Sequence, residues 1–218
     1  MKNLFTTGTI CLVAALTFAS CAKDDNNDDL YEQYRQQELR IDSILNAQKA
    51  EIEAYVTTNL SEAEPDSIYY PFSYIDKRTK RGIWYLYEPG DNEEEDYKYT
   101  INSTATNYVF PTVKLTYTAK LLDGTPVESE EAGTFNFSVG FSAFNDAWFL
   151  SFFPYSIRYN AQDYVVGGLT ENGLQAGDKI TVVTPSVLAY GSVKKTGGEA
   201  DIPADSPLVY EFEVLEIE

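Results

Sequence analysis

Histidine and cysteine, two side chains that commonly carry enzymatic chemistry, are absent or scarce in this chain. Its 218 residues include no histidine, and the two cysteines are Cys11 and Cys21. The lack of histidine excludes His-based acid–base catalysis, Ser-His-Asp triads and the usual zinc sites. We therefore predict that the protein uses no cofactor and no metal.

Cys21 is a candidate for covalent modification. Lys2 provides a basic start, residues 10–18 are apolar, and small residues precede the cysteine, an order typical of an export signal. The apolar stretch is too short to span a bilayer as a stable helix. Phe18-Ala19-Ser20-Cys21 resembles a bacterial lipobox, in which the cysteine thiol is acylated. We predict a lipoprotein signal peptide at 1–20 and lipid on Cys21; a plain secretory signal is the alternative.

Net charge and the residues after Cys21 suggest a location. The formal charge of −18 repels nucleic acid, so the predicted partners include no nucleic acid. Residues 21–29 are polar and acidic and are predicted to form a lipidated, disordered tether. Lys23-Asp24-Asp25 resembles the surface-export signal of Bacteroidetes lipoproteins, the alternative being a solvated linker. We predict an outer-membrane lipoprotein of the cell envelope, exposed on the surface and held to the membrane through Cys21.

A long helix is predicted over residues 30–62. Neither glycine nor proline interrupts the stretch, and its apolar residues recur at spacings near four and seven. They are Leu30, Tyr34, Ile41, Leu45, Ile52 and Val56. The helix could form a stalk or the arm of a homodimer, or it could pack on its own domain. Residues 63–81 are predicted to be a linker.

The chain beyond residue 82 has the pattern of short strands separated by turns. Tyr, Val, Ile and Thr are frequent in them, and several alternate between apolar and polar residues. The predicted strands are 83–87, 113–122, 134–139, 180–184 and 208–217. A helix is also predicted over 143–153, ended by Pro154. These elements predict an α+β fold.

Sequence segments after residue 113 carry a family resemblance. They are Tyr117-Thr118-Ala119 with Leu122-Asp123-Gly124, Phe135-Asn136-Phe137-Ser138-Val139-Gly140, Val165-Val166-Gly167-Gly168-Leu169 with Leu174-Gln175-Ala176-Gly177-Asp178-Lys179, and Leu188-Ala189-Tyr190-Gly191 with Ile202-Pro203. In this order they resemble an FKBP-type peptidyl-prolyl cis-trans isomerase domain. The resemblance implies an FKBP-like domain over 82–218, an antiparallel half-barrel sheet wrapped on a short helix.

The implied chemistry suits a chain without histidine. Rotation about a peptide bond has a barrier of about 18–20 kcal/mol because amide resonance must be lost, and it needs no nucleophile, metal or proton shuttle. The twisted amide is less polar than the planar one. A dry aromatic cleft with one or two hydrogen-bond donors therefore favours the transition state.

The resemblance also assigns roles to individual residues. It implies that apolar and aromatic residues form the pocket wall, namely Tyr117, Phe135, Val166, Tyr190 and Tyr210. It implies that the backbone N–H of Ile202 and the hydroxyl of Tyr190 donate hydrogen bonds to substrate carbonyl groups. Proline-containing polypeptides are the implied substrates.

Several positions depart from the family pattern. Leu169 stands where the family has the tryptophan of the pocket floor, and Val127-Glu128 stands where it has Phe-Asp. Glu128 keeps the charge but moves the carboxylate by one methylene. The loss of two aromatic rings reduces the apolar contact available to proline. If Leu169 and Tyr190 do not face one open cleft in the structure, the catalytic interpretation fails.

An aromatic insertion is predicted at 141–164. The family has only a few residues here, whereas this chain has nine aromatic ones, including Trp148 and Phe149. The segment could cap the cleft and refill its floor through Trp148 or Phe149. It could instead expose an apolar surface to other chains, or pack on its own core.

Two main functions follow from these observations. The first is a peptidyl-prolyl isomerase that acts on X-Pro bonds of exported proteins. The alternative is a catalytically degenerate FKBP-fold module that binds an envelope protein partner. A glycan-binding lipoprotein is a third hypothesis, which rests on the 17 tyrosines and on the predicted surface location.

Overall fold

The computed structural model describes residues 26–91, 96–102, 104, 107–139 and 144–218. The helices are α1 (Asn26–Asn59) and α2 (Asp146–Phe152), and the strands are β1 (Glu64–Pro65), β2 (Trp84–Glu88), β3 (Thr112–Leu121), β4 (Pro126–Asn136), β5 (Ser156–Tyr159), β6 (Gln162–Val165), β7 (Lys179–Thr184) and β8 (Leu208–Ile217). Short 3₁₀ turns occur at Phe137–Val139 and Ser186–Leu188. The predicted signal peptide, Cys21 and Lys23-Asp24-Asp25 lie outside the described residues.

Six strands form one antiparallel sheet in the order β1-β2-β7-β8-β3-β4, and β5 and β6 form a separate hairpin. Alternation along the strands gives the large sheet two apolar faces, because successive side chains point to opposite sides. Val182 and Tyr210 belong to the cluster that contains α2, whereas Val183 and Val209 pack with α1. The sheet is therefore a layer between the two helices, which confirms the predicted α+β class.

Helix α2 is the short helix on which the sheet packs. It lies inside the segment 141–164 that was predicted to be an insertion, and it begins close to the predicted helix start. Asn145 caps its N-terminus by accepting a hydrogen bond from the Trp148 N–H at 3.3 Å. Pro154 follows the last helical turn, where it cannot continue the helix. Four of the helix's hydrophobic residues are buried in the core: Ala147, Trp148, Leu150 and Phe152.

The second half of α1 packs on the opposite face of the sheet. Leu45, Ile52 and Val56 are buried there, and Gln48 exchanges two hydrogen bonds of 2.9 Å with Ser186. This part of the helix therefore packs on its own domain, which was one of the alternatives for the predicted helix. The helix begins at Asn26, earlier than predicted, because the acidic residues of its first turn suit the helix dipole. No helix among the described residues is long and apolar enough to cross a bilayer.

Residues 63–81, predicted to be a linker, pack along α1 and the edge of the sheet. The Glu38 carboxylate accepts hydrogen bonds from the N–H groups of Ser73 and Tyr74 at 2.8 and 2.7 Å. A buried ion pair joins Arg81 Nε to Asp66 at 2.6 Å, and Arg81 Nη1 donates to the Gly167 carbonyl at 2.8 Å. These contacts hold the segment in one position.

We expect Ile52→Ala to lower the free energy of unfolding by about 2–5 kcal/mol, because it opens a cavity between α1 and the sheet. Ile52 is only 1% exposed, whereas Leu30 on the same helix is 46% exposed. Leu30→Ala is the matched control and should change stability by less than about 0.5 kcal/mol. Urea unfolding at equilibrium measures both. Equal small effects would show that α1 does not stabilise the domain.

Candidate active site

A cleft of about 490 Å³ opens beside the N-terminus of α2. Strands β3 and β4 supply one wall, and the chain after the 3₁₀ turn at Ser186–Leu188 supplies the opposite one. The lining residues are Tyr117, Glu128, Phe135, Phe144, Asn145, Trp148, Ala189, Tyr190, Val193 and Lys195. Five of these ten residues are aromatic, and Glu128, Asn145, Lys195 and two tyrosine hydroxyls add polar groups to the lining.

Trp148 forms the floor of the cleft. Its side chain comes from the first turn of α2, is 4% exposed, and lies among rings of three strands. Its ring centroid is 4.8 Å from Tyr117, 5.3 Å from Phe135 and 4.8 Å from Phe212. Two of these rings meet it edge to face, the arrangement that the aromatic quadrupole favours. The indole therefore sits rigidly at the base of an apolar cleft.

A chain of polar contacts runs along one side of the cleft. Tyr190 donates its hydroxyl hydrogen to the Glu128 carboxylate, at 3.0 and 2.9 Å from the two oxygens. Asn145 Nδ2 donates to the Tyr210 hydroxyl at 2.8 Å. Burial, followed by the neighbouring Tyr210 and Glu128, raises the pKa of Tyr190 above its usual range. Tyr190 therefore keeps its proton and remains a donor over the physiological pH range.

Lys195 lies at the rim of the same cleft. Its ammonium is 4.5 Å from the centroid of the Tyr190 ring and 4.0 Å from Glu128 Oε1. The first contact has the geometry of a cation–π interaction. The Glu128 side chain is 17% exposed, so it is a partly buried carboxylate that faces both a hydroxyl and an ammonium.

The structure brings together most of the residues that the sequence proposed. Tyr117, Glu128, Phe135 and Tyr190 line the cleft. Tyr210 is fully buried behind it, with its ring centroid 6.4 Å from that of Trp148. It reaches the cleft through its hydrogen bond to the lining residue Asn145.

Val166 and Leu169 are not among the residues that line the cleft. Leu169 lines a separate groove with Tyr85 and Tyr87. The reason is the path of the backbone: Gly168 lies so near the C-terminal end of α2 that a Cβ there would be 1.7 Å from the Phe153 carbonyl oxygen. The Leu169 N–H bonds to the Leu150 carbonyl at 2.8 Å. Leu169 therefore packs at the far end of the helix from the cleft.

The floor residue was placed wrongly by motif order alone. Leu169 and Tyr190 do not line one cleft, so catalysis on a floor formed by Leu169 fails by the criterion stated above. Trp148 takes the place that had been assigned to Leu169, as one interpretation of the aromatic segment allowed. The same segment also packs on its own core. The signal that could have located it is Asn145-Asp146 before Trp148, a capping residue followed by an apolar helical pattern.

Ile202 has a different role from the implied one. Its N–H donates to the Lys195 carbonyl at 2.9 Å, and the Lys195 N–H donates back to the Ile202 carbonyl at 3.0 Å. The Ile202 side chain is 1% exposed and belongs to the core. Its N–H is therefore engaged within the protein and is not free to meet a substrate carbonyl.

Comparison with known proteins identifies the domain. Residues 109–215 match the model of a family described as FKBP-type peptidyl-prolyl cis-trans isomerase. The match spans β3, β4, α2, β7 and most of β8, and so includes every residue that lines the cleft. The protein therefore contains an FKBP-type domain. No curated protein matches the chain.

Three solved structures are similar to the chain. FkpA from Escherichia coli is 15% identical, with 91% of this chain and 75% of that one covered and a TM-score of 0.44. A peptidyl-prolyl cis-trans isomerase from Pseudomonas syringae pv. tomato is 18% identical, with 81% and 94% covered and a TM-score of 0.46. The structure named AtFKBP13 is 21% identical, with 63% and 94% covered and a TM-score of 0.42.

We expect the stability of the folded protein to fall between pH 10 and pH 12, in part because of Tyr117. Burial, followed by Glu128 and Glu130, raises the pKa of Tyr117 from 10.0 to about 12. The unfolded chain releases this proton near pH 10 while the folded protein holds it, so the stabilisation is complete below pH 10 and is lost by about pH 12.

Tyr117→Phe should make this decline shallower, since phenylalanine has no proton to lose. Urea unfolding midpoints of both proteins, measured at steps from about pH 9 to about pH 11, check the expectation. Between about pH 7 and about pH 9 the unfolding midpoints of the two proteins should change with pH in the same way, which is the internal control. An unchanged slope in the variant above pH 10 would contradict the assignment.

Proposed function

We propose that the protein is a peptidyl-prolyl cis-trans isomerase that acts on X-Pro bonds of polypeptides outside the cytoplasm. The observation that carries this proposal is the position of Trp148 at the floor of an aromatic cleft. With Trp148 there, the site has the apolar floor that proline needs, together with walls from Tyr117, Phe135 and Tyr190.

Binding in such a cleft favours the twisted amide over the planar one. The pyrrolidine ring is apolar and gains contact with the Trp148 indole and the neighbouring rings. When the amide rotates, it loses resonance and becomes less polar, so it tolerates an environment with little water better than the ground state does. The buried Trp148 ring and the partly buried rings around it supply that environment without any covalent step.

The Tyr190 hydroxyl is the donor that this cleft offers to a substrate carbonyl. In the free protein its single proton is directed at Glu128, at 2.9 Å from the nearer oxygen. Binding of a carbonyl would require the hydroxyl to rotate from Glu128 to the substrate. Lys195, 4.0 Å from Glu128, would then compensate the carboxylate that has lost its donor.

A second function is favoured by the same polar contacts. Both donors implied by the family resemblance already have partners, because Tyr190 donates to Glu128 and Ile202 donates to Lys195. A cleft whose donors stay engaged would bind proline without accelerating its rotation. In that case the protein is a binding module for a proline-containing partner of the cell envelope.

The proposed location rests on the N-terminal residues. Residues 1–20 have the order of a lipoprotein signal peptide, and Cys21 is the residue that would carry the lipid. Two or three acyl chains anchor a protein firmly, at about 0.8 kcal/mol per buried methylene. Lys23-Asp24-Asp25 supports export to the outer surface of a Bacteroidetes-type outer membrane. The substrates would then be exported or surface proteins.

We expect the purified protein to accelerate isomerisation of a Leu-Pro peptide in a protease-coupled assay. Trp148→Leu should lower kcat/KM by about tenfold or more, because proline loses its aromatic floor. Leu169→Ala is the matched control: it removes apolar atoms from another part of the core and should leave kcat/KM unchanged. Circular dichroism verifies that both variants are folded at the assay temperature.

The outcomes of this assay separate the two functions. If the folded wild-type protein gives no acceleration at micromolar concentration, the isomerase proposal is wrong. Binding of the same peptide in a calorimetric titration would then support the binding module. If Leu169→Ala lowers kcat/KM as much as Trp148→Leu does, the assignment of the floor is wrong.

We expect Cys21→Ala to release the protein from the membrane fraction when the full-length chain is expressed in a Bacteroidetes host. Without the thiol no acyl chain can be attached at this position. Cys11→Ala removes the other cysteine, inside the predicted signal, and should remain membrane-bound. Membrane association that persists in Cys21→Ala after a salt wash would overturn the lipid anchor.

A further inference from the structure

A second cavity adjoins the cleft on the side of Lys195. Its volume is about 390 Å³. Three residues line both spaces, namely Tyr117, Glu128 and Lys195. The rest of its lining is Ser129, Thr196, Gly197, Gly198 and Glu199. A peptide whose proline occupies the cleft therefore has a neighbouring space for the side chain of an adjacent residue, since consecutive Cα atoms are about 3.8 Å apart.

The wall of this cavity is fixed in place. Lys195 is held by its paired backbone hydrogen bonds with Ile202, at 3.0 and 2.9 Å. The Glu199 N–H donates to the Val127 carbonyl at 2.9 Å. Gly198 allows this close approach, because a Cβ there would lie 2.2 Å from the same carbonyl oxygen. Because the wall is preformed, little conformational entropy is lost when a ligand binds.

The charge around the second cavity is predominantly negative. Glu128 and Glu199 line it, and Glu199 is hydrogen-bonded to Ser129 on β4. Glu130 on the same strand acts electrostatically on Tyr117, a residue of the shared lining. Lys195 is the cation of this lining, and it is 4.0 Å from Glu128. Lys194, close by, is paired with Asp201 at 2.6 Å.

We propose that the second cavity binds a cationic side chain, lysine or arginine, of the residue that precedes the proline. This inference rests on the proposed function and specifies its substrate class. A long aliphatic side chain can cross from the cleft past the Tyr117 ring and place its charge near Glu199. The carboxylates outnumber the ammonium there, so a cation is attracted and an anion is repelled.

The test measures kcat/KM in the protease-coupled assay for three peptides of one series, with Lys, Leu or Glu before the proline. We expect the Lys peptide to exceed the Glu peptide by about fivefold or more at low salt, with Leu between them. Raising the ionic strength from about 0.05 M to about 0.5 M should reduce that ratio, because the groups are partly exposed.

Two charge-neutral variants locate the effect. Glu199→Gln should reduce the Lys-to-Glu ratio by about half or more, because the cavity loses one of its two carboxylates. Glu216→Gln removes the same charge from the end of β8, at a residue that lines neither cavity, and should leave the ratio unchanged. Lys195→Gln should raise the ratio, because the competing cation is lost.

Failure of the inference can be distinguished from failure of the proposed function. If the peptides are isomerised with equal kcat/KM, or if the Glu peptide is preferred, the specificity proposal is wrong and the isomerase stands. If Glu216→Gln lowers the Lys-to-Glu ratio of kcat/KM as much as Glu199→Gln does, the preference comes from net charge and the second cavity is not the binding site. If no peptide is isomerised, calorimetric Kd values of the same three peptides decide the specificity: tighter binding of Lys supports the cavity, and equal or weaker binding overturns it.

Discussion

The packing of Trp148 into the face of the sheet is the contact on which the cleft depends. Its indole meets rings from β3, β4 and β8, so it holds α2 against three strands at once. The N-terminal end of the same helix opens onto solvent and presents Asn145 beside Tyr210. One side chain therefore serves both as core and as floor. This double role explains how a residue of the core can also form the base of an open cleft.

The polar side of the cleft is organised by a single carboxylate. Glu128 accepts the Tyr190 hydroxyl and faces the Lys195 ammonium, and it borders both cavities. A carboxylate in this position keeps the hydroxyl oriented before any ligand arrives. It also requires a ligand to compete for that hydroxyl. The hydrogen bond from Tyr190 to Glu128 must therefore be broken before Tyr190 can donate to a substrate carbonyl.

Strand alternation and family motifs predicted much of the architecture but not the floor. The strand Leu208–Ile217 agrees with its prediction residue for residue, because Tyr210, Phe212 and Val214 alternate with acidic residues in its centre. Tyr117, Phe135 and Tyr190, which the motif order proposed as wall residues, line the cleft. Leu169 was matched to the floor because Gly167-Gly168 resembles a motif that precedes it. Gly168 instead allows close packing against Phe153, a tertiary contact that no local pattern reveals.

The contact between Gln48 and Ser186 shows that the folded domain includes α1 as well as the segment that the family model matches. Gln48 is hydrogen-bonded to both the N–H and the hydroxyl of Ser186, which begins the 3₁₀ turn Ser186–Leu188 just before Tyr190. Gln48 lies in α1, more than fifty residues ahead of the segment that the family model matches. Trimming the chain to the matched segment would remove a support of the wall that carries the cleft's hydroxyl. The helix is thus an integral part of the domain, and the isomerase fold is not a detachable module in this protein.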